Sequence, residues 1–263
     1  MTIVKLFNTL KAQGIELTEK DGQLNIKAPK GTLTAQLKAT LKENKEELLA
    51  FLRDIQTSHE CAPIQAHIRA KDDVNHPLSF SQKRLWLTDK LKGSSAEYNI
   101  PKVFKISGVL DLGLIKQVFE SILTRHEVLR TVYVDVDGEA MQRIRPMSEV
   151  EFDIQVEDVR ALSTAEQEEA VRARVTADIE QAFDLAEDVM LRVGYIHTSD
   201  SSGVLLFNMH HIASDGWSME VLNKEFFTLY EAYSQNQANP LPELDLQYVD
   251  YAHWQRAHVT GEV

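Results

Sequence analysis

The chain has 263 residues, 43% of them hydrophobic and 26% charged, enough for one sizeable globular core and a small extra unit. Its formal net charge of −12 is uneven: residues 1–56 carry nine Lys/Arg against seven Asp/Glu and the rest 19 against 33, and so acidic a body argues against a nucleic-acid partner. The lone Cys61 excludes an internal disulfide framework or a cysteine metal cluster, and no apolar run is long enough for a membrane span or signal peptide, so the expectation is a cytoplasmic protein with no membrane partner.

Residues 1–56 read as a unit of their own. Ile3, Leu6, Phe7 and Leu10 make a helical stripe that Gly14 ends. Residues 15–18 and 23–27 alternate apolar and polar around Asp21-Gly22, a hairpin signal. After Pro29 and Gly31, Leu33, Leu37 and Leu41 mark one short helix, and Leu48, Leu49, Phe51 and Leu52 a second. The order is helix, hairpin, helix, helix. It contains no catalytic constellation, and its small positive balance suits an acidic peptide partner.

Residues 57–76 are polar and irregular and read as a linker. From residue 77 onward the element types alternate. Val103–Ile106 predicts a strand, and Leu112–Leu123 an amphipathic helix with Asp111 as N-cap. Residues 131–136 and 140–144 flank Asp137-Gly138 as a hairpin. Ser163 to Glu166 is a capping box opening a helix that runs to about Ala182. Two strands, Leu191–Ile196 and Val204–Phe207, precede a helix from Trp217 to Tyr233. The pattern predicts an α/β sandwich, a mixed sheet covered by helices.

The strand Val204–Phe207 leads into His210-His211-Ile212-Ala213-Ser214-Asp215-Gly216. Such a strand would deliver an imidazole to its own end, where the backbone turns and becomes accessible. Histidine exchanges protons near neutrality, with an unperturbed pKa of about 6.5, so a base that deprotonates an incoming nucleophile is expected here, and a His doublet followed by x-x-x-Asp-Gly resembles a motif shared by several acyl-transfer families. No His/Cys/Asp/Glu grouping has metal-ligand spacing along the chain, and no Gly-rich phosphate loop is present.

Four separated segments then resemble one family. Ser79 to Leu87 resembles the opening motif of nonribosomal peptide synthetase condensation domains, with Ser81 where alanine is usual. Arg125 to Thr131 resembles the second motif, His210 to Ser218 the third and Tyr248 to Gln255 the fourth, in family order. Residues 1–56 resemble the N-terminal docking domains of megasynthase subunits. The resemblance implies a small α+β docking domain (1–56), a linker (57–76) and one chloramphenicol-acetyltransferase-like α/β lobe (77–263), the first of the two lobes of a complete condensation domain. A chain ending at Val263 is expected to be truncated and inactive alone. Residues 183–189 depart from the Gly-Pro that the family more often has there, a change expected to alter a loop and not the chemistry.

The resemblance also implies roles. His211 would take or hold the proton of an amine attacking a carrier-bound thioester, and the Gly216 N–H would meet the developing oxyanion. His210 would be structural, and Asp215 would hold the loop in a salt bridge, with Arg125 as its best partner within the chain and an arginine of the second lobe as the alternative; a second base is the other role open to Asp215. Trp217 reads as core, and Arg84, His126, Arg130, Tyr248, Asp250 and Trp254 as packing or hydrogen-bonding residues. In the docking domain, Leu24, Ile26 and Lys27 would lie near the strand that receives the C-terminal peptide of an upstream subunit by β-augmentation. The remaining partners implied are donor and acceptor carrier proteins bearing 4′-phosphopantetheine, with no cofactor bound by this chain. A non-catalytic docking fragment and an epimerisation-type relative are the alternatives.

Overall fold

A computed structural model describes residues 74–259 without interruption, together with 6, 10, 15–20, 23–29, 32, 34, 37, 40–42, 44–51, 63–67 and 69. The expectations placed on Ile3, Phe7, Gly14, Asp21, Gly22, Gly31, Leu33, Leu52 and Cys61 lie outside the described residues. The chain divides into two units, Met1–Pro63 and Ile64–Val263.

In the first unit, β1 (Glu16–Lys20) and β2 (Gln23–Lys27) pair antiparallel, with Lys20 opposite Gln23 and Leu17 opposite Ile26. Leu6, Leu10, Ile15, Leu17, Leu41 and Leu48 form a buried cluster against which Leu24 and Leu37 pack. Leu6, Leu10, Leu37, Leu41 and Leu48 are all helical, as their spacing predicts.

The second unit is built on a four-stranded sheet in the order β4-β9-β8-β7. β4 spans Asn99–Ser107, β7 Ile154–Asp158, β8 Leu191–Ser199 and β9 Ser202–His210. β8 and β9 form an antiparallel hairpin. β7 runs parallel to β8, which requires a crossover; helix α3 (Thr164–Glu180) supplies it. Side chains alternate across β9. Leu205, Phe207 and Met209 face the main core beneath α2 (Leu112–Arg125) and α4 (Gly216–Ser234), while Val204 and Leu206 pack with Val171 and Val175 of α3 on the other face. At the far end of β9, Gly203 lies under the ring of Tyr195, where a Cβ would fall 2.3 Å from the Tyr195 hydroxyl and 2.6 Å from the Ile196 carbonyl oxygen.

A second sheet, β3-β6-β5, joins His76–Pro77, Glu139–Ile144 and Thr131–Val136. The β5–β6 turn has positive φ at both Asp137 (54°) and Gly138 (84°), the twist a two-residue hairpin needs. Tyr133, Leu78, Leu85, Trp86, Phe183, Leu185, Met190 and Ile212 close a separate apolar cluster beside it. The segment that departs from the family's Gly-Pro therefore has an anchoring role: Phe183 and Leu185 are buried, and the Leu185 carbonyl accepts the Tyr133 N–H at 2.7 Å.

Two helices complete the unit, α1 (Phe80–Lys92) and α5 (Tyr248–His258). Polar bonds tie the start of α1 to α5: the Phe80 N–H donates to Gln255 at 2.8 Å and Arg256 donates to the Leu78 carbonyl at 2.8 Å. The stretch expected to be a linker is tied down at His67 and Arg69. The His67 N–H donates to Asp250, and Arg69 pairs with Glu127 at 2.7 Å.

Candidate active site

β9 ends by dividing its two histidines between core and solvent. His210, 2% exposed, follows the inward side of the strand and lies edge-on to Tyr98 and Phe183. Its Nδ1 accepts the Ile212 N–H at 3.1 Å, so a proton on the neutral ring sits on Nε2. Burial pushes its pKa down to about 4, helped by His211 and Arg192 nearby, and the ring is neutral at neutral pH. His211 is exposed; its backbone N–H is fixed to the Tyr98 carbonyl at 2.9 Å while its ring is left to the cavity.

Asp215 is the N-cap of α4. Its Oδ1 accepts the Ser218 N–H at 2.8 Å and the Ser218 hydroxyl at 2.7 Å, and the Asp215 N–H returns to the Ser218 oxygen. These bonds, the backbone one first, hold its carboxyl below the usual carboxylate range. Asp215 thus fixes the loop, but through a capping box and without Arg125. Arg125 instead donates to Glu225 at 2.9 Å and to the Pro242 carbonyl. The reason is distance along the helix: Glu225 lies ten residues into α4 from Asp215, about 15 Å at 1.5 Å per residue. Glu225 also takes His126 Nε2 at 2.6 Å on its other oxygen.

Gly216 opens α4 at an exposed position where an added Cβ would meet nothing within 4 Å. Trp217, expected in the core, is 75% exposed. The buried stripe of α4 runs through Met219, Leu222, Glu225 and Leu229, and a residue two before Met219 points to the opposite side of the helix.

His211, Asp215, Trp217 and Ser218 all border one cavity of about 490 Å³. Ser81, Arg84 and Leu85 of α1, His126, Val128 and Leu129 of the second motif, Tyr248 of the fourth and Gln247 just before it also line it. All four sequence motifs therefore meet at one hollow. The packing expected of Arg130 is seen in its bond to the Leu123 carbonyl at 3.1 Å, and that of Trp254 in stacking between Tyr251 and His258. His126 makes the hydrogen bond expected of it, to Glu225, and both it and Arg84 also border the cavity wall. Tyr248 also reaches it, and its hydroxyl contacts the Ser79 hydroxyl at 3.1 Å. Sequence reasoning missed Tyr98, whose carbonyl positions His211; it follows no motif and ends a 3-10 turn just before β4. Tyr133 was missed as well: its buried hydroxyl accepts from Gln82 and donates to the Ile212 carbonyl, linking the first motif to the third through β5.

In the first unit, Leu24 is partly buried against the apolar cluster, and Ile26 and Lys27 are exposed. Among the described residues no third strand joins β1 and β2.

Comparison with known proteins agrees with this arrangement. The condensation-domain family profile matches residues 73–262, and the TubC N-terminal docking-domain profile matches residues 3–54. One of the linear gramicidin synthase polypeptides of Brevibacillus parabrevis is 41% identical over 217 residues, covering 82% of this chain and 3% of that protein. Bacitracin synthase 2 of Bacillus licheniformis is 31% identical over 256 residues, 97% of this chain and 9% of its own length. The chain thus spans a small fraction of the curated relatives it matches. Among solved structures, a condensation domain that mediates chain release from the enacyloxin polyketide synthase aligns over 99% of this chain and 48% of that one, with TM-score 0.66 and 26% identity. The EpoB cyclization-docking bidomain from Sorangium cellulosum has the same fold, with TM-score 0.66 at 24% identity, covering 98% of this chain and 49% of that one. The chain belongs to the condensation-domain family and carries a docking domain of the TubC type ahead of its catalytic-type lobe.

Proposed function

We propose that this chain is part of a nonribosomal peptide synthetase and that its cavity serves amide-bond formation between two carrier-bound thioesters. The observation that carries the reading is His211, whose ring faces a cavity walled by all four motifs while its backbone is pinned at Tyr98. The amine of the acceptor attacks the donor carbonyl; a C–N bond forms, the donor C–S bond breaks, and the amine proton passes by way of His211 to the departing thiolate. Tethering and a thioester already activated for attack leave mainly positioning and one proton transfer to the protein. The cavity lies within the usual range for ligand pockets, about 300–1,000 Å³, and its apolar walls with Ser81 and Tyr248 as polar points suit an acyl chain on a 4′-phosphopantetheine arm borne by the carrier proteins.

The stretch covers about half of each solved structure described above, and Trp217 stands exposed at the cavity wall. On this reading residues outside the stretch complete the site, and the 263 residues do not turn over alone. The first unit docks the C-terminal peptide of an upstream polypeptide along the edge of its hairpin, with exposed Ile26 as apolar contact and Lys27 adding positive charge for an acidic peptide.

The test is a carrier-protein condensation assay on the whole synthetase polypeptide that includes this stretch, with product thioester measured by mass spectrometry. His211→Ala is expected to lower the rate about 10²–10⁴-fold without loss of fold. Unchanged product formation in a folded His211→Ala synthetase overturns the reading. Binding of an acidic C-terminal peptide from the preceding polypeptide, weakened by Ile26→Asp and Lys27→Glu, with no condensation under any donor, would favour the pure docking role.

A further inference from the structure

Three histidines remote in sequence meet at the junction of β3 and α5. His76 Nδ1 lies 3.2 Å from His253 Nε2 across 177 residues, and the His67 ring stacks on His253 with centroids 3.7 Å apart at 11°. One ring nitrogen from each of the three lies within 4.8 Å of the others. A tetrahedral ion with metal–nitrogen bonds of about 2.05 Å holds its ligand atoms about 3.3 Å apart, so the His76–His253 pair already has that spacing and the His67 nitrogen has to close in by at most about 1.5 Å. We propose that His67, His76 and His253 bind a borderline transition-metal dication, Zn²⁺ being the representative case.

The chemistry of the cluster favours this over a coincidence of packing. The 3.2 Å contact between His76 and His253 needs one nitrogen without a proton, so at least one imidazole lone pair is present in the cluster. His76 is buried and set by β3, whose register places it opposite Gln142. His253 is set by α5. His67 is held through its main chain: its N–H donates to Asp250 Oδ1 at 2.9 Å, and Asp250 is itself fixed as the partner of Gln247 at the start of α5. The nearby cation, Arg69, is neutralised by Glu127 Oε2 at 2.7 Å and Asp250 Oδ1 at 3.8 Å, so it does not stand as an uncompensated charge against a bound dication. Two parallel stacked rings cannot both aim a lone pair at one ion, so binding opens the His67–His253 stack, a soft rotation about the terminal side-chain torsion. Three imidazoles then leave a fourth position for water. The bound ion joins three separate segments, clipping residues 64–67 onto the helix of the fourth motif.

The experiment uses the untagged chain, stripped with EDTA and titrated with ZnCl₂ by calorimetry, with thermal unfolding in parallel and Co²⁺ as a spectroscopic substitute. The expected result is one equivalent of Zn²⁺ bound, a rise in melting temperature that Ca²⁺ does not reproduce, and visible Co²⁺ bands of a four-coordinate nitrogen site. His67→Ala and His253→Ala, both at partly exposed positions, should each weaken binding at least the roughly tenfold that even an outer-shell change costs a metal site, while His258→Gln leaves it intact. No uptake by the folded chain, or uptake unaffected by His67→Ala and His253→Ala, overturns the proposal.

Discussion

Asp215 accepts two hydrogen bonds from a single residue, Ser218, one from its N–H at 2.8 Å and one from its hydroxyl at 2.7 Å. The carboxylate four positions after His211 is thereby committed to starting α4. Asp215→Ala is expected to cost about 1 kcal/mol and Asp215→Asn much less, since asparagine caps equally well. The pH dependence has a definite sign. A carboxyl held below its ordinary range stabilises the fold fully above its unfolded pKa, and that contribution disappears as pH falls through the lower folded value. Urea unfolding at neutral pH and near pH 3 should therefore bring wild type and Asp215→Asn closer together in acid.

His210 adds a second loss of stability in acid, at higher pH and for a different reason. Its folded pKa of about 4 lies below the unfolded value near 6.5, so the unfolded chain binds the extra proton first. Its contribution is complete above pH 6.5 and is lost as pH falls from there towards 4, by about 3 kcal/mol in all. Unfolding free energies measured across pH 4–7.5 should show this slope in the wild type. The slope should shrink in His210→Gln, and an equal slope in both proteins would mean that other groups cause it.

Arg125 and Glu225 form a mostly buried pair that His126 shares. Glu225→Gln leaves Arg125 without its charge partner, and a loss of about 3 kcal/mol is expected, as for other broken buried pairs. A double-mutant cycle separates this from the pairing that the motifs suggest: Arg125 should couple to Glu225 and show no coupling to Asp215 beyond about 0.5 kcal/mol.

Gly216 offers a clean separation of stability from chemistry. A Cβ there meets nothing within this chain, so Gly216→Ala should leave unfolding within about 0.5 kcal/mol of wild type. If the helix start must approach the reacting carbonyl closely, the same variant should slow condensation, by about 10²-fold for a displacement near 1 Å. A fast Gly216→Ala synthetase removes this glycine from the oxyanion role.

The parts of the fold visible in the sequence are those set by local pattern. The α2 stripe, the Asp137-Gly138 hairpin and the β8–β9 pair announce themselves by period and turn chemistry. Helices α1 and α5 do not, because each buries only a few side chains and is held largely by polar bonds such as Phe80 to Gln255. The local signals that α1 carries are at its ends, the Ser79–Gln82 capping box at its start and Lys90, Lys92 and Gly93 at its close. Motif spacing located His211 in the chain, but no motif marks Glu225 or Tyr98, so the partner of Arg125 and the anchor of His211 emerge only from tertiary packing. The histidine trio is the extreme case, since residues separated by 177 positions leave no spacing to recognise.

Gly203 sits seven residues before His210, at the opposite end of β9, yet it helps decide which imidazole borders the cavity. Because neighbouring strand residues face opposite ways, sliding β9 by one position against β8 would send His211 inward and turn His210 out. Only a residue without a side chain fits beneath Tyr195, so any such slip drives a larger residue into that ring. The cavity end of the strand is thus indexed from its remote end. Substitution at Gly203 is expected to damage activity by misaddressing a histidine that it never touches.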